Sequence, residues 1–147
     1  MLDIVFILDV SGSINNIDMH NFANMQSFVK AFASQYDNWG PGGVQMGVVL
    51  MGTNGMLAIQ LNSHTDLSTF QADVDNLMYR SQKSNYLSAL DVTRQMAFSE
   101  LLGNRPDVYD VVIFITDGEV QSDEFGVLDA DDARLTELKD DGVEVCG

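Results

Sequence analysis

The stretch DIVFILDVSGS, residues 3–13, contains five consecutive apolar residues between two aspartates. A continuous apolar run of this length is typical of a central strand that is buried on both faces of a sheet. The run leads into Asp9, Ser11 and Ser13, three oxygen-bearing side chains on alternate positions, with Gly12 between the serines. Gly and Ser are ordinary turn residues, so one interpretation is a polar turn. The other is a ligand site at the end of the strand.

The rest of the chain alternates strand patterns with helix patterns. The short connection from Gly52 to Gly55 excludes a parallel crossover and predicts an antiparallel hairpin. Met46, Met51 and Met56 lie in the strand pattern and are predicted to fill the core. We predict an α/β fold, a Rossmann-like doubly wound, mostly parallel sheet with one antiparallel edge strand and helices on both faces. The further strands are predicted at Val44 to Met51, Met56 to Leu61, Val111 to Thr116 and Val143 to Cys146, and the helices at about Asp18 to Tyr36, Asp66 to Met78, Tyr86 to Leu101 and Ala130 to Asp140.

Composition limits the size of the protein and the partners it can have. The 147 residues suffice for one domain, and 46% hydrophobic residues in compact blocks exclude disorder. With 7 basic and 22 acidic residues the net charge is −15, which repels phosphate backbones, so we expect no nucleic-acid partner. No apolar run approaches the roughly twenty residues of a membrane-spanning helix, and no signal-peptide pattern precedes the first strand, so we expect no direct membrane insertion. The single cysteine, Cys146, leaves the compartment open.

A second polar segment follows another apolar strand, in the stretch VVIFITDGE at residues 111–119. Asp9 and Asp117 each end an apolar strand, and ligands of such sheets bind at the carboxyl ends of the strands, where the strand order reverses. Carboxylates and hydroxyls are hard oxygen ligands that suit Mg²⁺, Mn²⁺ or Ca²⁺ better than metals that seek thiols or imidazoles. The two segments together predict a divalent-metal site.

These two segments resemble the von Willebrand factor type A domain and its relative, the integrin inserted domain. The resemblance rests on Asp9-x-Ser11-x-Ser13 after DIVFIL and on the TDG of residues 116–118, and it covers essentially the whole chain in order and spacing. It implies a metal-ion-dependent adhesion site to which Asp9, Ser11, Ser13 and Asp117 contribute. It also implies a single domain over residues 1–147 that stops before the last helices and strand of the fold.

The middle loop departs from the pattern of that family. Relatives typically show Gly-Gly-Thr-Asn-Thr-Gly before an Ala-Leu pair, and counting back from Ala89-Leu90 puts Ser84 at the position of the ligand threonine. Serine keeps the hydroxyl but lacks the methyl group that restricts threonine, so we expect Ser84 to act as a ligand with looser positioning. Lys83 beside it either favours an acidic partner or faces solvent.

The function that the resemblance implies is divalent-cation-dependent protein binding in adhesion or in the extracellular matrix. A bound Mg²⁺, or Mn²⁺ or Ca²⁺, would accept a Glu or Asp from a partner such as collagen or another matrix or cell-surface protein. The protein would be secreted or part of the ectodomain of a surface protein, and it would not be an enzyme.

Two alternatives use the same acidic residues differently. In the first, the protein is an acidic structural matrix protein whose residues 117–147, with 11 carboxylates and two basic groups, bind Ca²⁺ or mineral loosely. In the second, Asp9 is the nucleophile of a Mg²⁺-dependent, phosphatase-like enzyme. That chemistry normally needs a second acid two residues later, and Ser11 occupies this position.

Overall fold

A computed structural model describes residues 1–12, 20–81, 83, 85–116 and 133–146. These residues form a five-stranded sheet in the order β3-β2-β1-β4-β5, with four α-helices. A π-helical turn at Thr93–Ala97 and a 3₁₀ turn at Glu100–Leu102 follow the third helix. The elements are β1 (Leu2–Asp9), α1 (Asn21–Ala33), β2 (Val44–Met51), β3 (Gly55–Ile59), α2 (Leu67–Asp75), α3 (Tyr86–Val92), β4 (Tyr109–Ile115), α4 (Ala133–Asp140) and β5 (Val143–Cys146).

The sheet is parallel except at one edge. β1 lies in the centre and pairs in parallel with β2 on one side and with β4 on the other. β5 continues the parallel order beside β4, and β3 pairs antiparallel with β2. The prediction of a mostly parallel sheet with one antiparallel edge strand is confirmed. Because the chain runs to β2 on one side of β1 and later to β4 on the other, the strand order reverses between β1 and β4.

Helices cover both faces of the sheet, as predicted, because alternate residues of each strand point to opposite sides. One face packs against α1 and α2, and the other against α3 and α4. The buried residues of the first face include Ile4, Phe6, Leu8, Val48, Leu50, Phe22, Val29, Phe70 and Val74. Those of the second include Val5, Ile7, Val49, Met51, Val112, Phe114, Leu90, Leu135 and Leu138. β1 contributes to both clusters, which confirms that it is the central buried strand.

The predicted long helix from Tyr86 to Leu101 is wrong in its second half. The α-helix ends at Val92, and the next turn is π-helical. The hydroxyl of Thr93 donates to the carbonyl of Ala89 at 2.7 Å, and the Thr93 carbonyl accepts from an amide five residues later. Such back-bonding by threonine competes with the regular helical ladder.

Other boundaries shift by a few residues. α1 ends at Ala33 and α2 at Asp75, three residues before their predicted ends. The predicted cap of α2 is confirmed, since the side chain of Asp66 accepts a hydrogen bond from the Thr69 amide at 2.9 Å. Met56 is 36% exposed, so its assignment to the core is wrong. Among the described residues, no helix combines the length and the apolar character that crossing a membrane requires.

A buried ion pair ties the amino ends of the strands together. The carboxylate of Asp3 has no exposed surface, and the Nη2 atom of Arg105 lies 2.6 Å from its Oδ1 atom. The same guanidinium donates to the carbonyls of Leu2, Pro41 and Gly43, each at 2.9 Å. Arg105 therefore joins β1 to the loop that precedes β2.

A second carboxyl group lies close to this ion pair, at the start of β4. The side-chain amide of Asn104 donates to Asp110 at 3.0 Å. Burial, and then the negative charge of Asp3, raise the pKa of Asp110 to about 7, against the opposing effect of Arg105. Asp110 is therefore a titratable group at the amino edge of the sheet, opposite the edge where ligands of this fold class bind.

Candidate metal centre

Asp9 is the last residue of β1, and its side chain is fully buried at the point where the strand order reverses. Its Oδ1 atom accepts a hydrogen bond from the Ser11 amide at 2.8 Å. Its Oδ2 atom accepts one from the hydroxyl of Thr116 at 3.0 Å. The carboxylate therefore joins the loop after β1 to the first residue after β4.

The register of the sheet explains why these residues meet. Leu8 pairs with Ile115, the last residue of β4, and Asp9 pairs with Met51, the last residue of β2. The amide of Val10 also donates to the Met51 carbonyl at 3.0 Å. The three central strands therefore end at one level, and their following loops start side by side.

A tyrosine from a distant connection holds the loop after β1. The hydroxyl of Tyr79 lies 2.8 Å from the carbonyl oxygen of Ser11 and 3.2 Å from that of Gly12, and donates to this pair. The ring packs against Phe22 of α1. A Cβ atom on Gly12 would lie only 3.3 Å from the hydroxyl of Ser81, so glycine suits this close approach. Residues 79–81 thus pack directly against residues 11–12.

Two of the five predicted ligands fall in the described part of the chain. Asp9 and Ser11 are both fully buried, and they share the hydrogen bond between the Ser11 amide and the Asp9 carboxylate. The other predicted ligands, which lie outside the described residues, are Ser13, Ser84 and Asp117. Asn85 follows Ser84 in the sequence, and its amide donates to the Gly52 carbonyl at 2.9 Å. This hydrogen bond ties the start of α3 to the turn after β2.

The donor types at this edge suit a hard cation. Asp9 offers carboxylate oxygens and Ser11 a hydroxyl, and oxygen-only sets of this kind favour Mg²⁺, Mn²⁺ or Ca²⁺. The described residues contain no group of three or more His, Cys, Asp or Glu side chains placed to hold a metal ion.

Two residues of this edge were missed in the sequence. Thr116 could have been found, because its hydroxyl directly precedes Asp117 in the TDG segment. Tyr79 carries no local signal: it lies 68 residues from Ser11 in the chain, and only the fold brings the two together.

The order of the strands, with buried Asp9 at the point where that order reverses, defines the class of the protein. It is a doubly wound α/β domain with a polar carboxyl edge. The chain belongs to the von Willebrand factor type A domain family, whose model matches residues 3–147.

Its relatives include a collagen and an integrin. The chain is 36% identical over 119 residues to the collagen alpha-6(VI) chain of Homo sapiens, an alignment that covers 81% of this chain and 5% of the collagen. It is 28% identical over 119 residues to integrin alpha-2 of Bos taurus, which covers 80% of this chain and 10% of the integrin. The chain therefore spans only a small part of the relatives it matches.

A solved structure with the same fold is that of proximal thread matrix protein 1 from the mussel byssus, described with a zinc-occupied MIDAS motif, the metal-ion-dependent adhesion site. The TM-score is 0.87 at 25% sequence identity, over 99% of this chain and 37% of the mussel protein. The likeness confirms the fold and shows that a protein with a bound metal ion shares it.

Proposed function

We propose that this chain is a divalent-cation-dependent protein-binding module of an adhesion or extracellular-matrix protein. The observation that carries the proposal is the fully buried carboxylate of Asp9 at the switch point, hydrogen-bonded to the loop after β1 and to the residue after β4. A buried carboxylate requires hydrogen bonds or a cation to offset its lost hydration. Membership of the von Willebrand factor type A family and the collagen and integrin relatives support the same function.

The proposed ligands comprise two carboxylates and three hydroxyls. The carboxylates supply the negative charge, and the hydroxyls add neutral oxygen donors. When bound, Mg²⁺, Mn²⁺ or Ca²⁺ would supply a Lewis-acidic position at which a Glu or Asp of a partner protein replaces water. The proposed ligand residues are Asp9, Ser11, Ser13, Ser84 and Asp117.

The described residues around Asp9 orient the carboxylate. The Ser11 amide and the Thr116 hydroxyl hold one carboxylate oxygen each, which restricts rotation of the carboxylate plane. Tyr79 fixes the backbone of the loop that carries Ser11. Outer-shell contacts of this kind commonly change metal affinity by 10–100-fold.

The partner that we propose is a collagen or another matrix or cell-surface protein with an accessible acidic residue, and the compartment is extracellular. The relatives, which include a collagen chain, an integrin chain and a thread matrix protein, support both statements. No catalytic step is assigned to the chain.

Calorimetric titration of the chelator-stripped protein tests the metal centre. Mg²⁺, Mn²⁺, Ca²⁺ and Zn²⁺ are titrated separately into the wild type, Asp9→Asn and Asp107→Asn. Asp107 is an exposed residue in the loop before β4, so this control removes the same charge at the opposite edge. We expect one saturable site in the wild type and in Asp107→Asn, and its loss in Asp9→Asn, with unchanged circular dichroism.

Binding to immobilised collagen in Mg²⁺ and in EDTA then tests the partner. Binding that disappears in EDTA and in Asp9→Asn supports the proposal. A wild type without a saturable metal site, or an Asp9→Asn variant that binds metal like the wild type, would show that this edge is not a metal centre.

A further inference from the structure

The basic residues of this acidic chain are few, and most of those described are paired. Arg80 and Lys139 are exposed, and their side chains have no ion pair or hydrogen bond among the described residues; of the two, Arg80 lies at the carboxyl edge of the sheet. It follows Tyr79 in the connection between α2 and α3. Ion pairs with carboxylates include those of Lys30 with Asp75, Arg94 with Glu137 and Asp141, Arg105 with Asp3, and Arg134 with Asp91.

Arg80 lines a cleft of about 230 Å³ at the carboxyl edge of the sheet. The rest of the lining comes from Val10 after β1, from Leu50 at the end of β2 and from the turn into β3, including Asn54 and Met56. Arg80 is the charged member of this lining. The volume equals that of about eight water molecules and lies below the range of roughly 300–1,000 Å³ typical of small-molecule sites. The cleft therefore suits a side chain of a partner rather than a free metabolite.

The cleft adjoins the candidate metal centre through the residues on either side of Arg80. Tyr79 donates to the carbonyls of Ser11 and Gly12. The Ser81 hydroxyl would lie 3.3 Å from a Cβ atom placed on Gly12. Ser81 has a φ of 48°, a left-handed conformation that is uncommon for serine. The turn that carries Arg80 is thus packed directly against the loop that carries Ser11.

We propose that Arg80 and this cleft form a second acid-recognition position, so that the partner is a protein segment with two acidic residues. One would reach the metal centre, which rests on the proposed function, and the other would pair with Arg80. A guanidinium matches a carboxylate through two parallel hydrogen bonds, which gives direction as well as charge. The net charge of −15 repels an acidic segment. Arg80 attracts such a segment locally, so its binding is favoured at this edge. Exposed Met56 offers an apolar contact for the methylene groups of such a side chain.

A peptide array tests the second position. Immobilised peptides present one glutamate, or two glutamates separated by one to four glycines, to the wild type, Arg80→Gln, Arg80→Lys and Lys139→Gln in Mg²⁺ and in EDTA. Lys139 is exposed in the last turn of α4, whose end faces the amino edge of the sheet, so its substitution removes the same charge away from the cleft. Circular dichroism checks that each variant is folded.

We expect the wild type and Lys139→Gln to bind the best two-acid peptide about fivefold more tightly than the one-acid peptide, the upper end for an exposed ion pair. Arg80→Gln should lose this preference, and Arg80→Lys should keep part of it. Metal-dependent binding without the preference, or with a preference unchanged in Arg80→Gln, would overturn the second position and leave the metal centre standing. A preference that depends on Arg80 but persists in EDTA would support the second position and contradict the metal centre. No binding to any peptide would overturn both.

Discussion

Replacing Arg105 by methionine should strongly destabilise the fold. Arg105→Met removes the guanidinium and keeps an aliphatic stem of similar length, so the change isolates the ion pair from simple packing. Asp3 stays in place with a fully buried carboxylate. It retains the hydrogen bond from the Arg105 backbone amide at 2.9 Å, and it loses the two side-chain bonds at 2.6 and 3.0 Å.

The expected loss follows from the burial of the two partners. Removing one member of a buried ion pair typically costs about 3–5 kcal/mol, because the remaining charge has no partner. The carbonyls of Leu2, Pro41 and Gly43 also lose their donor, although water can reach part of this region, since the Arg105 side chain is 17% exposed. We expect a loss of about 4 kcal/mol, a large share of the roughly 5–15 kcal/mol that stabilises a typical domain.

Urea unfolding followed by far-ultraviolet circular dichroism measures this loss. With a slope of about 2 kcal/mol per molar urea, the midpoint should fall by about 2 M. The control is Arg134→Met, which removes a more exposed ion pair with Asp91 and should cost about 1 kcal/mol or less. Adding Asp3→Asn to Arg105→Met should recover stability, because no buried charge is then left unpaired. A loss no larger than that of the control, or a double variant no more stable than Arg105→Met alone, would refute the reasoning.

Two further predictions concern the two edges of the sheet. At the amino edge, the pKa of Asp110 is raised from 3.8 to about 7, so as the pH rises this carboxyl group ionises in the unfolded chain before it does in the folded chain. Its contribution to stability is therefore complete below about pH 3.8 and is lost as the pH rises to about 7. Asp110→Asn should therefore be more stable than the wild type at pH 8, with a smaller difference at pH 4.5; equal differences in thermal midpoint at the two values would contradict this. At the carboxyl edge, Thr116→Val removes the hydroxyl that holds Asp9 and should weaken Mg²⁺ binding about tenfold in calorimetry, while Thr116→Ser should not. Wild-type affinity in Thr116→Val would exclude this orienting role.

The strands were largely predictable because their signal is local. A strand buried on both faces needs consecutive apolar residues, and the predicted bounds of Val44–Met51 and Val143–Cys146 match the structure. β1 is longer than its apolar run, since it includes the aspartates at both ends. Asp3 and Asp9 bound the apolar run in the sequence. Both lie inside the strand and are buried, because Arg105 and Thr116 supply hydrogen bonds from far along the chain.

The helices show where local patterns stop being sufficient. The apolar periodicity of residues 86–101 predicts one continuous helix, and it contains no information on the hydrogen bond that the Thr93 hydroxyl makes with the helix backbone. Gly103 ends the 3₁₀ turn, and its φ of 111° is favoured only for glycine.

Continuous apolar runs, alternating with helix patterns, and the acids at the strand ends predict the fold class and the chemical type of the candidate centre, since these are short-range properties of the chain. The arrangement of the carboxyl edge depends on the order of the strands instead. Thr116 meets Asp9 across 107 residues, and Tyr79 meets Ser11 across 68. Arg80 lies beside the same loop, whereas the sequence leaves open whether Lys83 favours an acidic partner or faces solvent. Contacts over such separations arise only when the sheet assembles with β1 between β2 and β4, because that order alone brings these loops to one edge.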